Sequence, residues 1–323
     1  MKILAVFTGG TIGSVRSGGN ILPNEQSSAD LLDMYQKSGG RAEFVTTRPY
    51  NILSENLSGK NLAALYGCIK SYDLSQFDGV IVTCGTDTLQ YTCAYLSYAF
   101  GLCSTPIAVV SANYPLSDKR SNGLQNFSAA VTLIASGQAE GVFAAYQNSG
   151  ETAKLHRASR LLPHLPYSDN VASVFDSVYG GIINGCLVLD PEFSEQDDGK
   201  DFCVDPIPGE SSEILYVTPY VGMDYPKLCK DTKAVLLSTY HSGTLNTDDG
   251  KLKTFCKTAD SLEIPVFLTG ETSGFEYASK SVFDELNIHI LPSASPVAMY
   301  VKLWLLRDGN LKDVYKPFGG DFA

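Results

Sequence analysis

The chain has 323 residues, 35 Asp and Glu against 24 Lys and Arg, and a formal net charge of −11. Its 44% hydrophobic and 18% charged residues suit a folded soluble protein and exclude a disordered one. The acidic balance argues against a nucleic-acid partner, whose phosphates call for clustered Lys and Arg, and no apolar run reaches the ~18 residues of a membrane span.

At roughly 100–200 residues per domain, two domains are expected. The N-terminal apolar stretch, Ile3 to Phe7, is a strand's length and ends in glycines. It reads as the first strand of the mature fold rather than as a secretory signal. A polar segment then leads into the helical ADLLDMYQKSG. FVTTRPYNI (44–52) is expected as a strand. NLAALYGCIKSY follows, with Leu62, Leu65, Ile69 and Tyr72 at helical spacing. GVIVTCG (79–85) precedes the helix TLQYTCAYLSYAFG, in which Tyr91, Tyr95 and Tyr98 are expected to pack against the sheet or a partner. PIAVVSA (106–112) precedes the helix NGLQNFSAAVTLIASG, and GVFAAYQ (141–147) follows as a strand. Continuous apolar strands between helices predict an α/β fold, with a mostly parallel, doubly covered sheet in a larger N-terminal domain over 1–189.

Residues 190–212 are rich in charge, Pro and Gly and read as a linker, with Asp197 and Asp198 as its solvated charges. Residues 213–323 form a smaller α/β domain, with strands in EILYVTPYVG, AVLLSTYHSG, PVFLTGET and NIHILPS and a helix over 296–306. The eight cysteines (68, 84, 93, 103, 186, 203, 229, 256) show no CxxC pair and no His at metal spacing. No metal is expected, and a reduced, cytoplasmic protein is.

In open parallel sheets, ligands bind beyond the carboxyl ends of the strands. Two such ends carry hydroxyls on glycine-relieved turns: Thr8-Gly9-Gly10-Thr11-Ile12-Gly13 and Thr83-Cys84-Gly85-Thr86-Asp87-Thr88. The first does not suit a dinucleotide loop, because its glycine spacing differs and no helix follows it directly. Taken alone, the first turn is accounted for by glycine conformation. Two threonine-bearing turns able to converge on one pocket favour a nucleophile. A threonine hydroxyl needs help to lose its proton. The four histidines (156, 164, 241, 289) form no Ser-His-Asp pattern, which leaves a lysine relayed through a second hydroxyl.

At these turns the sequence resembles the bacterial-type L-asparaginase/glutaminase family, and specifically its cytoplasmic type I branch. TGGTIGS and, about 75 residues later, TCGTDTL carry the resemblance. LSENLS (53–58), SDKRSNGLQNFSAAV (117–131) and SPVAMYVKLWLL (295–306) extend it. The resemblance implies Thr11 as the nucleophile that forms a β-aspartyl acyl-enzyme. It implies Thr86 as the proton relay that activates the deacylating water, and Asp87 as the ligand of the substrate α-ammonium. Ser54 and Glu55 match the pair that holds the α-carboxylate and α-ammonium, and Lys154 in GETAKLH matches the relay lysine. Other roles are open to these residues: Ser54 or Glu55 could cap the helix that begins near Ser58, although Ser58 is the better cap. Asp87 could cap the helix after it, and Lys154 could be a solvated surface lysine. No cofactor is implied.

Family members carry a tyrosine on a lid loop about ten residues after the nucleophile, where this chain has Ile21. The loop SVRSGGN keeps the Gly and Ser content of a lid. The activity implied is hydrolysis of asparagine to aspartate and ammonia. One alternative is a catalytically weak amino-acid-binding protein, motivated by the missing tyrosine. Another is an amidohydrolase that prefers glutamine or another amide. The tRNA-linked relatives have an added N-terminal domain, whereas here the first strand begins at residue 3, and the acidic charge disfavours tRNA. The family implies a homodimer or dimer-of-dimers tetramer in which small-domain loops complete the partner's pocket. The matching segments here are TYHSGTLN (239–246) and LTGETSG (268–274), the latter with Glu271.

Overall fold

A computed structural model describes residues 1–17, 20–24, 26–195, 209, 211–271 and 277–323. The first strand, β1 (Lys2–Phe7), is buried from Ile3 onward. Behind it, a short antiparallel hairpin joins β2 (Ser14–Ser17) to β3 (Asn20–Pro23). The alternation then runs α1 (Ser27–Lys37), β4 (Glu43–Thr47), α2 (Gly59–Lys70), β5 (Gly79–Thr83), α3 (Leu89–Phe100), β6 (Ile107–Val110), α4 (Gly123–Ala135) and β7 (Val142–Gln147). Strands β8 (Ala153–Arg157), β9 (Gly180–Ile183) and β10 (Cys186–Leu189) extend the sheet. Its order is β10-β9-β8-β7-β6-β5-β1-β4. The five strands from β7 to β4 are parallel, and the β8–β10 extension is antiparallel.

The second sheet is wholly parallel, in the order β11 (Ile214–Val217), β12 (Ala234–Ser238), β13 (Val266–Thr269), β14 (Ile288–Ile290). Helices α5 (Lys251–Ser261) and α6 (Ala278–Glu285) connect its strands, and α7 (Pro296–Leu306) follows. Helix α7 starts where the sequence places it: Ser295 accepts a bond from the Ala298 N–H, and Pro296 stands at the position where a missing N–H costs nothing.

The large sheet is apolar on both faces, as its unbroken strands require. Leu31 and Tyr35 of α1 and Phe127, Ala130 and Ile134 of α4 cover one face. Leu62 and Leu65 of α2, Cys93 and Leu96 of α3, and Met299 and Leu303 of α7 belong to the core on the other. Helix α7 also packs on β11 and β12, so one helix serves both sheets. Among the described residues no helix is long and apolar enough to cross a membrane.

One expectation changes and two elements are added. The strand expected over 44–52 stops at Thr47, because Pro49 lacks an N–H and restricts the residue before it. The β2–β3 hairpin and the β8–β10 extension were not legible, being short and broken by charged or glycine residues. Most of the 190–212 segment, with Asp197 and Asp198, lies outside the described residues.

Candidate active site

From β1 the chain goes to β4 on one side and then to β5 on the other, so the strand order reverses at the β1–β5 boundary. That switch point opens a crevice at the strands' carboxyl ends. Both threonine turns leave from it, one after Phe7 and one after Thr83.

The turns are in direct contact. Gly10 has φ +73°, and a Cβ there would lie 2.2 Å from the Gly85 nitrogen. A Cβ on Gly85 would lie 2.4 Å from Cβ of Ser54. Glycine is therefore required at both positions for the three segments to meet. The Gly10 N–H donates to the Ile52 carbonyl at 2.8 Å, and the Thr8 hydroxyl donates to the Thr83 carbonyl at 2.6 Å. Thr11 follows in a single 3-10 turn, Thr11–Gly13. Thr11 and Thr86 are both half-buried, and neither hydroxyl has a hydrogen-bond partner among the described residues.

Ser54 is buried and donates to Oδ2 of Asp87 at 2.8 Å, across 33 residues of chain. The Thr88 hydroxyl donates to the Ser54 carbonyl at 3.1 Å. Ser54 and Asp87 are thus committed to each other and not to helix ends. Ser58 caps α2 in a capping box with Asn61, and α3 has no side-chain cap. Backbone N–H groups of Gly85, Thr86 and Asp87 make no hydrogen bond among the described residues. They lie at the N-terminal end of α3, where the helix dipole favours negative charge.

Thr86 and Asp87 line a cavity of about 330 Å³ together with Gln90, Tyr146 and the loop His164–Asp169. A larger recess of about 630 Å³ lies in the smaller domain, around Tyr225, Lys227 and Lys251. No residue of either threonine turn lines that recess, so the smaller cavity is the one beside the candidate chemistry.

Two expected residues stand apart. Glu55 is exposed, with no partner among the described residues. Lys154 lies directly opposite Tyr146 on the antiparallel β7–β8 ladder and so shares its face. Its ammonium, however, pairs with Glu151 at 2.6 Å rather than with Thr86. Ile21 lies in β3, paired with Arg16, but its side chain falls outside the described residues, as do Gly18 and Gly19 between β2 and β3.

Sequence reasoning missed His164. Burial lowers its pKa, while the Asp87 and Asp169 carboxylates and the Ser168 backbone act in the opposite sense. It sits on a loop with Pro163 and Pro166, whose composition gives no signal of a site.

Residues 2–162 match the family model described as Asparaginase, N-terminal. The N-terminal half of the chain belongs to the asparaginase family. A glutamyl-tRNA(Gln) amidotransferase subunit from Haloquadratum walsbyi is 33% identical over 167 residues, which cover 48% of this chain and 36% of that protein. The match thus spans about a third of that relative's length. Over the full chain, the asparaginase fold is shared with the thermostable L-asparaginase from Thermococcus kodakarensis. The TM-score is 0.78 at 20% identity, covering 100% of this chain and 99% of that one. A probable cytoplasmic L-asparaginase from Campylobacter jejuni gives a TM-score of 0.75 at 19% identity, covering 97% and 98%. All the threonine-turn residues, Ser54, Asp87 and Lys154 fall inside the asparaginase segment.

Proposed function

We propose that the chain is an L-asparaginase of the cytoplasmic type I kind, an amidohydrolase that converts L-asparagine to L-aspartate and ammonia. The observation that carries this reading is the contact between the two threonine turns at the switch point of an asparaginase-family sheet. In this reading Oγ of Thr11 attacks the side-chain amide carbon. The N–H groups at the Gly85–Asp87 turn hold the oxyanion. The C–N bond breaks, the Thr11 proton leaves with ammonia, and a β-aspartyl ester remains. Water activated at Thr86 then cleaves that ester and returns the proton to Thr11. Asp87, oriented by Ser54, takes the substrate α-ammonium, and Glu55 completes that end of the pocket.

Lys154 is proposed as the relay base partner of Thr86, reached by leaving Glu151. That pair is about 40% exposed on each side (39% and 41%), and exposed ion pairs are worth about 0–1 kcal/mol, so releasing the lysine costs little. The Lys154–Glu151 pair equally supports a second reading, a binding protein with poor turnover. The amidotransferase relatives support a third, with a different amide as substrate.

The test is ammonia release from L-asparagine and L-glutamine, measured alongside calorimetric binding. Turnover of asparagine ahead of glutamine supports the asparaginase reading. Binding without ammonia release supports the binding protein, and glutamine turnover ahead of asparagine moves the substrate. We also propose a homodimer, with the 239–246 and 268–274 loops closing the partner's cavity. Residues 272–274 lie outside the described residues.

A further inference from the structure

We propose that His164 is a further substrate-binding residue, whose neutral imidazole accepts a hydrogen bond from the α-ammonium of the amino-acid substrate beside Asp87. The inference rests on the amino-acid site proposed above and extends it to a loop that the threonine motifs do not reach.

His164 lines the same cavity as Thr86 and Asp87. Its Nε2 is buried and has no hydrogen-bond partner among the described residues. A buried polar atom left unpaired is costly, and such atoms in native proteins call for an explanation. A ligand that brings a donor into the cavity supplies one.

An ammonium brings three N–H donors and no acceptor. Asp87 offers it a carboxylate, one lone pair of which, on Oδ2, already accepts from Ser54, so the three donors still have room for a second partner. A second acceptor in the same cavity completes the cradle.

The ring is held where this role needs it. Its loop closes at the base through the Leu162 N–H to the Ala172 carbonyl at 2.9 Å. The Tyr146 hydroxyl donates to the Asp169 carbonyl at 2.9 Å. Asn148 grips Val171 twice, donating from Nδ2 to its carbonyl at 3.0 Å and accepting its N–H at 2.9 Å. Pro163 and Pro166 flank the histidine and restrict the backbone on both sides. The Tyr146 ring meets the imidazole at 6.2 Å between centroids and 70° between planes.

The sign of the pH dependence follows. The charged and titratable groups around the ring are Asp87 before α3, Tyr146 on β7, and Tyr167 and Asp169 on its own loop. Burial holds the imidazole neutral to lower pH than a free histidine, despite the two carboxylates. Protonation would remove the acceptor and place a cation against the ammonium. Amino-acid affinity therefore falls as the solution is acidified below the ordinary histidine range.

The decisive probe pair is L-aspartate and succinate, which differ in the α-ammonium. Calorimetry on the full chain is expected to show that His164→Leu weakens L-aspartate by about 10- to 100-fold and leaves succinate unchanged. His164→Gln, which retains an acceptor, is expected to stay near wild type at neutral pH. It should also lose the fall in aspartate affinity that wild type shows as pH is lowered below about 6.5. Equal effects of His164→Leu on both ligands, or no effect on either, would overturn the proposal. If His164→Leu does not fold, the His164→Gln pH profile decides: a profile that still falls as wild type does refutes it. Wild type that binds neither ligand would overturn the amino-acid site itself, a result distinct from failure of the histidine alone.

Discussion

Gly10 and Gly85 show how much of the site rests on single residues. With φ at +73° and a would-be Cβ 2.2 Å from the Gly85 nitrogen, Gly10→Ala forces backbone apart. It is expected to destabilise the protein by at least about 2 kcal/mol in urea titrations and to abolish ammonia release. Thr11→Ala and Thr86→Val differ in kind. Both hydroxyls are half-buried and free of partners among the described residues, so their loss is expected to leave the urea midpoint nearly unchanged while lowering turnover by at least about 100-fold. Near-wild-type turnover in either variant would remove that threonine from the chemistry. Both threonines and both glycines were legible in the sequence, because each lies in a short local motif after an apolar strand. The Ser54–Asp87 bond was not, since nothing local signals a contact 33 residues away. Lys154 was legible by position only, because its pairing with Glu151 depends on a loop conformation that spacing does not encode.

At the scale of elements, strand β8 carries more than its sequence suggests. AKLHR was not read as a strand, since charged residues interrupt its apolar pattern. The ladder with β7 nonetheless buries His156 and Arg157 almost completely. Arg157 is compensated by Glu195 at 2.6 Å and by stacking over Phe143 at 4.2 Å. His156 has one partner among the described residues, the Ser173 hydroxyl at 2.7 Å, and burial lowers its pKa to about 4, with the nearby Lys154 ammonium adding to the effect. The folded value lies below the unfolded value of about 6.5, so the unfolded chain takes up the proton first. Stability from this group is complete above about pH 6.5 and is lost as pH falls toward 4, up to roughly 3 kcal/mol. Urea midpoints measured across that range should fall in wild type and fall less in His156→Gln. An equal fall in both would show that other groups govern the acid limb. The parallel strands β1, β5, β6 and β7 were legible because they are unbroken apolar runs. The antiparallel edge was not, because its strands owe their place to tertiary pairing rather than to pattern.

The whole molecule is tied together near its C-terminus, by contacts no local pattern reveals. Asp321 accepts from Lys302 of α7 at 2.6 Å, from the Tyr98 hydroxyl of α3 at 3.0 Å and from the Phe318 N–H at 2.9 Å. Arg160 and Ser159 bond the Gly320 and Gly319 carbonyls at 2.7 and 2.8 Å. Burial pushes the Asp321 carboxyl up and the Lys302 ammonium down, and each charge partly restores the other. Lys302→Met leaves a buried carboxylate without its cation and is expected to cost about 3–5 kcal/mol. Adding Asp321→Asn should recover part of that loss, and a double-mutant cycle with no coupling would contradict the pairing. Light scattering is expected to show a homodimer, and a fully active monomer would exclude loops shared between subunits. The seven cysteines among the described residues form no disulfide, so titration of the denatured, unreduced chain should find eight thiols. Hydrolysis through an acyl-enzyme on Thr11 is tested most directly by rapid acid quench of the protein turning over L-asparagine, followed by peptide mapping. The predicted result is a β-aspartyl ester on the peptide that contains Thr11, absent from Thr11→Ala. Ammonia release with the ester on another residue, or undiminished in Thr11→Ala, would contradict it.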